Sequence, residues 1–244
     1  MKRLACASML VGLAFGLVPA TAAAQSGSRQ SAELRFVEQR PGVPSALTLS
    51  IDYVNPDDPS AKPPAVQTVV EELAPGARID TSVPELCTAS DAELMLLGAS
   101  ACPPGSRVGS GTIRIDTGFP EPGRFIDADV TFLNNTDELI FVSTERRSGV
   151  RVVSRSEVQD RRIVNSAPPL PGTPPDGGAI DVVKAKLDAV SREIDGVRRG
   201  YVTTPGECPP GRAWTNSITF TYADGVSQTV ETQSRCSRSR RATH

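Results

Sequence analysis

Residues 214–232 read Trp214-Thr215-Asn216-Ser217-Ile218-Thr219-Phe220-Thr221-Tyr222-Ala223-Asp224-Gly225-Val226-Ser227-Gln228-Thr229-Val230-Glu231-Thr232. Trp214, Ile218, Phe220 and Tyr222 share one parity, so an extended chain places all four side chains on a single face. Ala223-Asp224-Gly225 turns the chain, and Val226 to Thr232 returns as a second strand. Cys208 and Cys236 stand at the open end of this hairpin. A bridge between them closes about 29 residues and is worth roughly 3.5 kcal/mol by loop entropy.

The same grammar recurs upstream, in short alternating segments between Gly/Pro-rich breaks. Leu47, Leu49, Ile51 and Tyr53 alternate with Thr48, Ser50 and Asp52, and Asn55-Pro56-Asp57-Asp58-Pro59 ends that strand. Further strands are expected at Gln67 to Leu73, Arg78 to Thr81, Arg107 to Asp116, Gly149 to Ser154 and Arg161 to Asn165. Asp127 to Leu133 and Glu138 to Thr144 flank Asn134-Asn135-Thr136-Asp137 as a hairpin. The expected fold is therefore mainly β, an antiparallel β-sandwich-like domain.

One segment breaks the period. Ser90-Asp91-Ala92-Glu93 forms a capping box, Leu94 to Leu97 follow, and Gly98 can stop the helix. This short helix lies between Cys87 and Cys102, and a bridge there closes about 16 residues for roughly 3 kcal/mol. Residues 180–194 fit two patterns. Ile180, Val183, Leu187, Val190 and Ile194 make a helical stripe, while Val183, Ala185, Leu187 and Ala189 alternate as a strand. Asp195-Gly196 suits a two-residue hairpin turn and favours the strand.

The chain opens with a secretory signal. Lys2 and Arg3 precede the apolar run Leu4 to Val18, and Thr21-Ala22-Ala23-Ala24 offers a small-residue cleavage site. The run is shorter than the ~20 residues of a spanning helix, so no membrane span is expected after cleavage. The expected organisation is a signal peptide at 1–24, a single β-rich extracellular domain at 25–236, and a disordered basic tail at 237–244. The Pro/Gly-rich loop 166–179 is the candidate break within the domain. Cys6 leaves with the signal, and the remaining four cysteines read as a disulfide framework in a secreted or envelope-associated protein.

The 26 basic side chains less Lys2 and Arg3, against 28 acidic ones, leave a formal charge of −4. That balance argues against a nucleic-acid partner. Arg235, Arg238, Arg240 and Arg241 read as a solvated end.

The residues exclude much chemistry. Histidine occurs once, as His244 at the last position, which removes triads built on it. The cysteines lack the CxxC spacing of zinc sites, and no cofactor or metal is expected. Gly105-Ser106-Arg107-Val108-Gly109-Ser110-Gly111 lacks the Gly-Lys-Ser/Thr ending of a phosphate loop. Asp127 and Asp129 sit two apart on one face of a strand and are the remaining catalytic candidates, for glycan or ester hydrolysis. A solvated strand entrance is the competing reading of that pair. Trp214 is either a core plug beside a disulfide or a carbohydrate-stacking platform. Asn134-Asn135-Thr136 matches a glycosylation sequon.

Two stretches carry a resemblance. Leu86-Cys87-Thr88-Ala89-Ser90-Asp91-Ala92 followed by Ala101-Cys102-Pro103-Pro104-Gly105-Ser106-Arg107-Val108-Gly109 resembles a "C-(S/T)-A … CP-x-x-S-x-VG" element. Gly200-Tyr201-Val202-Thr203-Thr204-Pro205, Cys208-Pro209, Trp214-Thr215 and Phe220 to Gly225 resemble a closing "GYLTTP … CP … W … FTYADG … C" unit. Both occur in uncharacterised secreted actinobacterial proteins, that is, of high-GC Gram-positive bacteria. The resemblance covers about half of the chain after the signal. It implies an exported β-rich protein with the local pairing Cys87–Cys102 and Cys208–Cys236 and strand before Gly200, and it brings no catalytic residues to carry over. The expected function is a non-enzymatic binding or structural protein of the envelope or extracellular space, with cell-envelope glycan or protein as candidate partners. The alternatives are a hydrolase using Asp127 and Asp129, and a carbohydrate-binding module using Trp214.

Overall fold

The computed structural model describes residues 27–237. The expected signal peptide at 1–24, with Cys6, and Arg238, Arg240, Arg241 and His244 of the expected tail lie outside the described residues. The elements in chain order are β1 (Gln30–Phe36), β2 (Leu47–Tyr53), β3 (Val66–Glu72), β4 (Arg78–Ile79), α1 (Asp91–Leu97), β5 (Arg107–Asp116), β6 (Phe125–Asn135) and β7 (Glu138–Glu145). They continue with β8 (Arg151–Gln159), β9 (Arg162–Ser166), β10 (Ala179–Leu187), β11 (Ser191–Ile194), β12 (Val197–Gly200), β13 (Val202–Thr203), β14 (Ala213–Tyr222) and β15 (Ser227–Arg235).

Eleven of these strands form one antiparallel sheet in the order β1-β2-β10-β5-β6-β7-β8-β9-β3-β14-β15. The mainly β, antiparallel fold with one short helix is as expected, and the sheet curls until its two edge strands meet. Among the described residues no backbone ladder joins β1 to β15. Side chains close the gap: Thr232 Oγ1 donates to the Leu34 carbonyl at 2.8 Å, and the Phe36 amide donates to Ser234 Oγ at 3.0 Å. The result is a nearly closed barrel, which leaves almost no free sheet edge. The loop at 166–179 is not a domain break, because β9 and β10 on either side of it belong to this one sheet and β10 lies between β2 and β5.

Parity decides what lies inside. Leu47, Ile51 and Tyr53 of β2, Val130 and Phe132 of β6, and Ile218, Phe220 and Tyr222 of β14 belong to one buried core. Gly109 and Gly111 of β5 sit where β10 approaches closely: a Cβ would fall 2.2 Å from the Lys186 carbonyl oxygen at the first and 2.5 Å from that of Lys184 at the second. The glycine-rich stretch thus serves strand packing rather than phosphate binding.

The two ends of the barrel differ. The long excursions 73–106 and 188–212 leave from one end and cross it. The two-stranded pair β4–β13 forms there, and Tyr201, Val202, Trp214 and Phe36 fill the floor. The amide of Ser45 donates to the Val202 carbonyl at 2.9 Å, and that of Asp80 to Tyr201 at 2.8 Å. The other end carries shorter connections and the proline-rich strap 167–178. Lys62 Nζ holds the strap through the carbonyls of Gly177 at 2.5 Å and Thr173 at 3.1 Å.

Segment 179–194 forms two strands, β10 and β11, with residues 188–190 between them. Val183, Ala185 and Leu187 pair with Ile51, Leu49 and Leu47, and the helical stripe gives way to that ladder. Asp195 and Gly196 have φ of 52° and 73°, so the β11–β12 turn takes the left-handed geometry its dipeptide favours. The capping box of α1 forms, with Ser90 N donating to Glu93 Oε2 at 2.8 Å. Two β8 arginines hold α1 to the outer wall. Arg155 bonds Asp91 and the Ala89 carbonyl at its start, and Arg151 bonds the Leu96 carbonyl at its end. Both bridges exist, with Cα separations of 5.0 Å for Cys87–Cys102 and 5.6 Å for Cys208–Cys236.

Candidate functional site

The inward parity of β3 runs Val69, Glu71, Leu73, and it carries a carboxyl into the barrel. Glu71 is 6 % exposed yet borders two adjoining interior cavities, of about 130 and about 50 Å³. Leu49, Phe132, Phe141 and Ala185 also line both, so the chamber is mostly apolar, with Thr112, Ser154, Ser166 and Lys184 as further polar residues of the wall. Asn165 of β9 donates its amide Nδ2 to Glu71 Oε2 at 2.5 Å, and Ser156 of β8 donates its hydroxyl to Asn165 Oδ1. The three side chains meet because β3, β9 and β8 are neighbours in the sheet.

A carboxylate in an apolar chamber loses hydration that two hydrogen bonds only partly replace. Burial therefore pushes the Glu71 carboxyl up to about 8, against the opposing pull of its own backbone amide and Asn165. No basic side chain enters that balance. Lys184 belongs to the chamber wall, but it is exposed and lies between the inward-facing Val183 and Ala185. Tyr53 lines the same chamber, and burial pushes its phenol well up, with the charges of Tyr222 and Glu71 adding to the shift.

The chamber meets a wider apolar mouth of about 500 Å³ at the strap end. Ile113, Ser154, Pro168 and Ile180 line both spaces. Phe125, Val150, Val152 and Leu170 extend the apolar surface outward, with Glu145 and Arg147 at the rim. An apolar pocket with a few convergent polar groups is the usual form of a small-molecule site.

The residues singled out in the sequence lie elsewhere. Asp127 and Asp129 do share one face of β6, but it is the outer one, opposite the inward Ala128, Val130 and Phe132. Arg114 Nε donates to Asp127 at 3.0 Å and Arg146 to Asp129 at 2.7 Å. The Arg146 hydrogen bond holds the Asp129 carboxyl below its ordinary value. These carboxylates are fixed as solvated ion pairs and flank no cleft. Trp214 is 3 % exposed, packs edge-on against Phe36 at 5.7 Å, and donates Nε1–H to the Glu207 carbonyl at 2.8 Å. It plugs the barrel floor and offers no stacking face. Cys87, Cys102, Cys208 and Cys236 are all in bridges. Asn134 of the sequon is fully buried, donating to the carbonyls of Thr81 and Glu85, so it cannot accept a glycan.

Sequence reasoning missed Glu71, Asn165 and Ser156. The signal that could have found Glu71 is its parity, a charged residue in register with Val69 and Leu73. Among the described residues no cluster of histidine, cysteine or carboxylate side chains could hold a metal, and no helix is long and apolar enough to cross a membrane. Comparison with protein-family models, curated proteins and solved structures finds no match.

Proposed function

We propose that this chain is a secreted, disulfide-stabilised, non-enzymatic binding protein of the extracellular space or cell envelope, and that its barrel takes in the apolar part of a small ligand. The observation that carries this reading is the apolar chamber around Glu71 opening to an apolar mouth through Ile113, Ser154, Pro168 and Ile180. Interiors normally pack without voids, so a polar-anchored cavity that meets the surface invites an occupant. The two bridges suit an oxidising compartment, as do the signal segment and the resemblance to secreted actinobacterial proteins. The ion pairing of Asp127 and Asp129 and the burial of Trp214 weigh for this reading over a hydrolase or a glycan-stacking module.

The test uses N-phenyl-1-naphthylamine, an uncharged fluorophore that brightens in apolar surroundings. It should bind saturably at one site, and Ala185→Phe, which fills both cavities from β10, should weaken it by about tenfold or more, the equivalent of one well-placed contact. Absence of saturable binding, or equal binding by the filled variant, would refute the reading.

A further inference from the structure

We infer that the ligand is an apolar amine, and that its ammonium group seats against the Glu71 carboxylate at the inner end of the chamber. This rests on the binding reading above and adds the chemistry of the head group.

Three observations point to a cation. Among the described residues Glu71 is the one acidic side chain on the walls of both cavities, and no arginine or lysine contributes to the charge balance at its carboxyl. Its polar neighbours are already committed: Asn165 spends an amide donor on Oε2, and the Asn165 oxygen accepts from Ser156. When Glu71 is ionised, what the cluster still offers is acceptance at the carboxylate, which asks for a donor that carries positive charge. The remaining wall is mostly apolar, so the donor is best carried on a hydrophobic body. Once Glu71 is ionised, a carboxylate head would meet it as a like charge, and an alcohol would supply a donor without compensating the charge.

Size agrees with this chemistry. A chamber of about 130 Å³ compares with the ~150 Å³ apolar cavity that holds a benzene-sized molecule. One slender segment therefore fits beside Glu71, and the rest of the body lies in the mouth against Phe125, Val152 and Leu170.

Proton balance gives the proposal a signature. An aliphatic ammonium keeps its proton below a pH of about 10. Glu71 holds its own proton up to about 8. Below that value, seating the ammonium on the carboxylate expels one proton to solvent. Affinity then rises about tenfold per pH unit as the pH climbs toward that value, and levels off above it. The titratable groups around the chamber are Tyr53, Tyr222 beyond it, and Lys184, which is exposed on the wall; burial raises both phenols well above this range.

The experiment displaces N-phenyl-1-naphthylamine from the folded protein with octylamine, 1-octanol and octanoate, from a pH of about 6 to about 8.5. The expected result at the alkaline end is octylamine at least about tenfold tighter than octanol, with octanoate weakest. The octylamine advantage should shrink about tenfold per pH unit on acidification. In Glu71→Gln the advantage and its pH dependence should vanish. Octanol or octanoate matching octylamine on the wild-type chain would overturn the amine assignment and leave the binding reading standing. Failure of the fluorophore to bind the folded wild-type chain would overturn both. The wild-type comparison decides the matter even where the variant does not fold.

Discussion

Thr232 and Leu34 meet across the line of the wall where no backbone ladder runs, the threonine hydroxyl donating to the leucine carbonyl at 2.8 Å. Asn216 joins them from the neighbouring strand. Its amide group donates to the same carbonyl at 3.0 Å and to Ser234 Oγ at 3.1 Å, while its oxygen accepts from the Ala74 amide at 2.9 Å. One buried asparagine thus links the seam to the floor of the barrel.

Removing this link should be costly. Asn216→Ala strands the Ala74 amide and weakens both seam contacts, so urea unfolding should report a loss of about 2–3 kcal/mol. Thr232→Val keeps the shape and removes one donor, for about 1 kcal/mol. Hydrogen exchange at the Phe36 amide, which donates to Ser234, should accelerate in the first variant more than in the second. Equal stability of Asn216→Ala and wild type would mean that the seam is held by packing alone.

The Glu71 carboxyl gives stability a direction with pH. It releases its proton near 4.5 when unfolded and near 8 when folded, so between those values the native state holds one more proton. Stability should therefore fall as pH rises through that window, at roughly 1.4 kcal/mol per pH unit at most. Glu71→Gln abolishes this contribution, and other titrating groups cancel when the two chains are compared. The variant should gain on wild type from pH 5 to 8 in thermal melts. A constant difference across the window would place the carboxyl in contact with water.

Tyr201 supplies a test of the floor. Its ring is fully buried, and among the described residues its hydroxyl has no hydrogen-bond partner. A stranded buried hydroxyl costs on the order of 1 kcal/mol or more, so Tyr201→Phe should raise stability by about that amount. Chemical denaturation measures it directly, and a loss on substitution would show that the hydroxyl is paired.

Local signals in the sequence were a sound guide to local structure. The Ser90–Glu93 capping box, the Asp195-Gly196 turn, the hairpin after Asn135 and strand Arg107–Asp116 all form as their residues dictate. Each depends on neighbours a few positions away. Barrel closure does not: β10 inserts between β2 and β5, and β3 between β9 and β14, pairings that span up to about 150 residues of chain. The Glu71–Asn165–Ser156 cluster was hidden for the same reason, since its members are 94 and 9 residues apart. Asp127 and Asp129 share a face, as their spacing of two dictates. That the face is external follows from Val130 and Phe132, whose parity points the other way.

The placement of the covalent links has a consequence for how the molecule would respond to its surroundings. Cys208–Cys236 ties the foot of the barrel and Cys87–Cys102 ties the flank under α1, whereas the strap at the lip is held by hydrogen bonds such as those from Lys62. Reductants would slacken the vessel's base and leave its lip untouched. Salt and solvent polarity, which act on Lys62, would do the reverse. Durability and access to the interior are thus governed by different chemistry at opposite ends of one barrel.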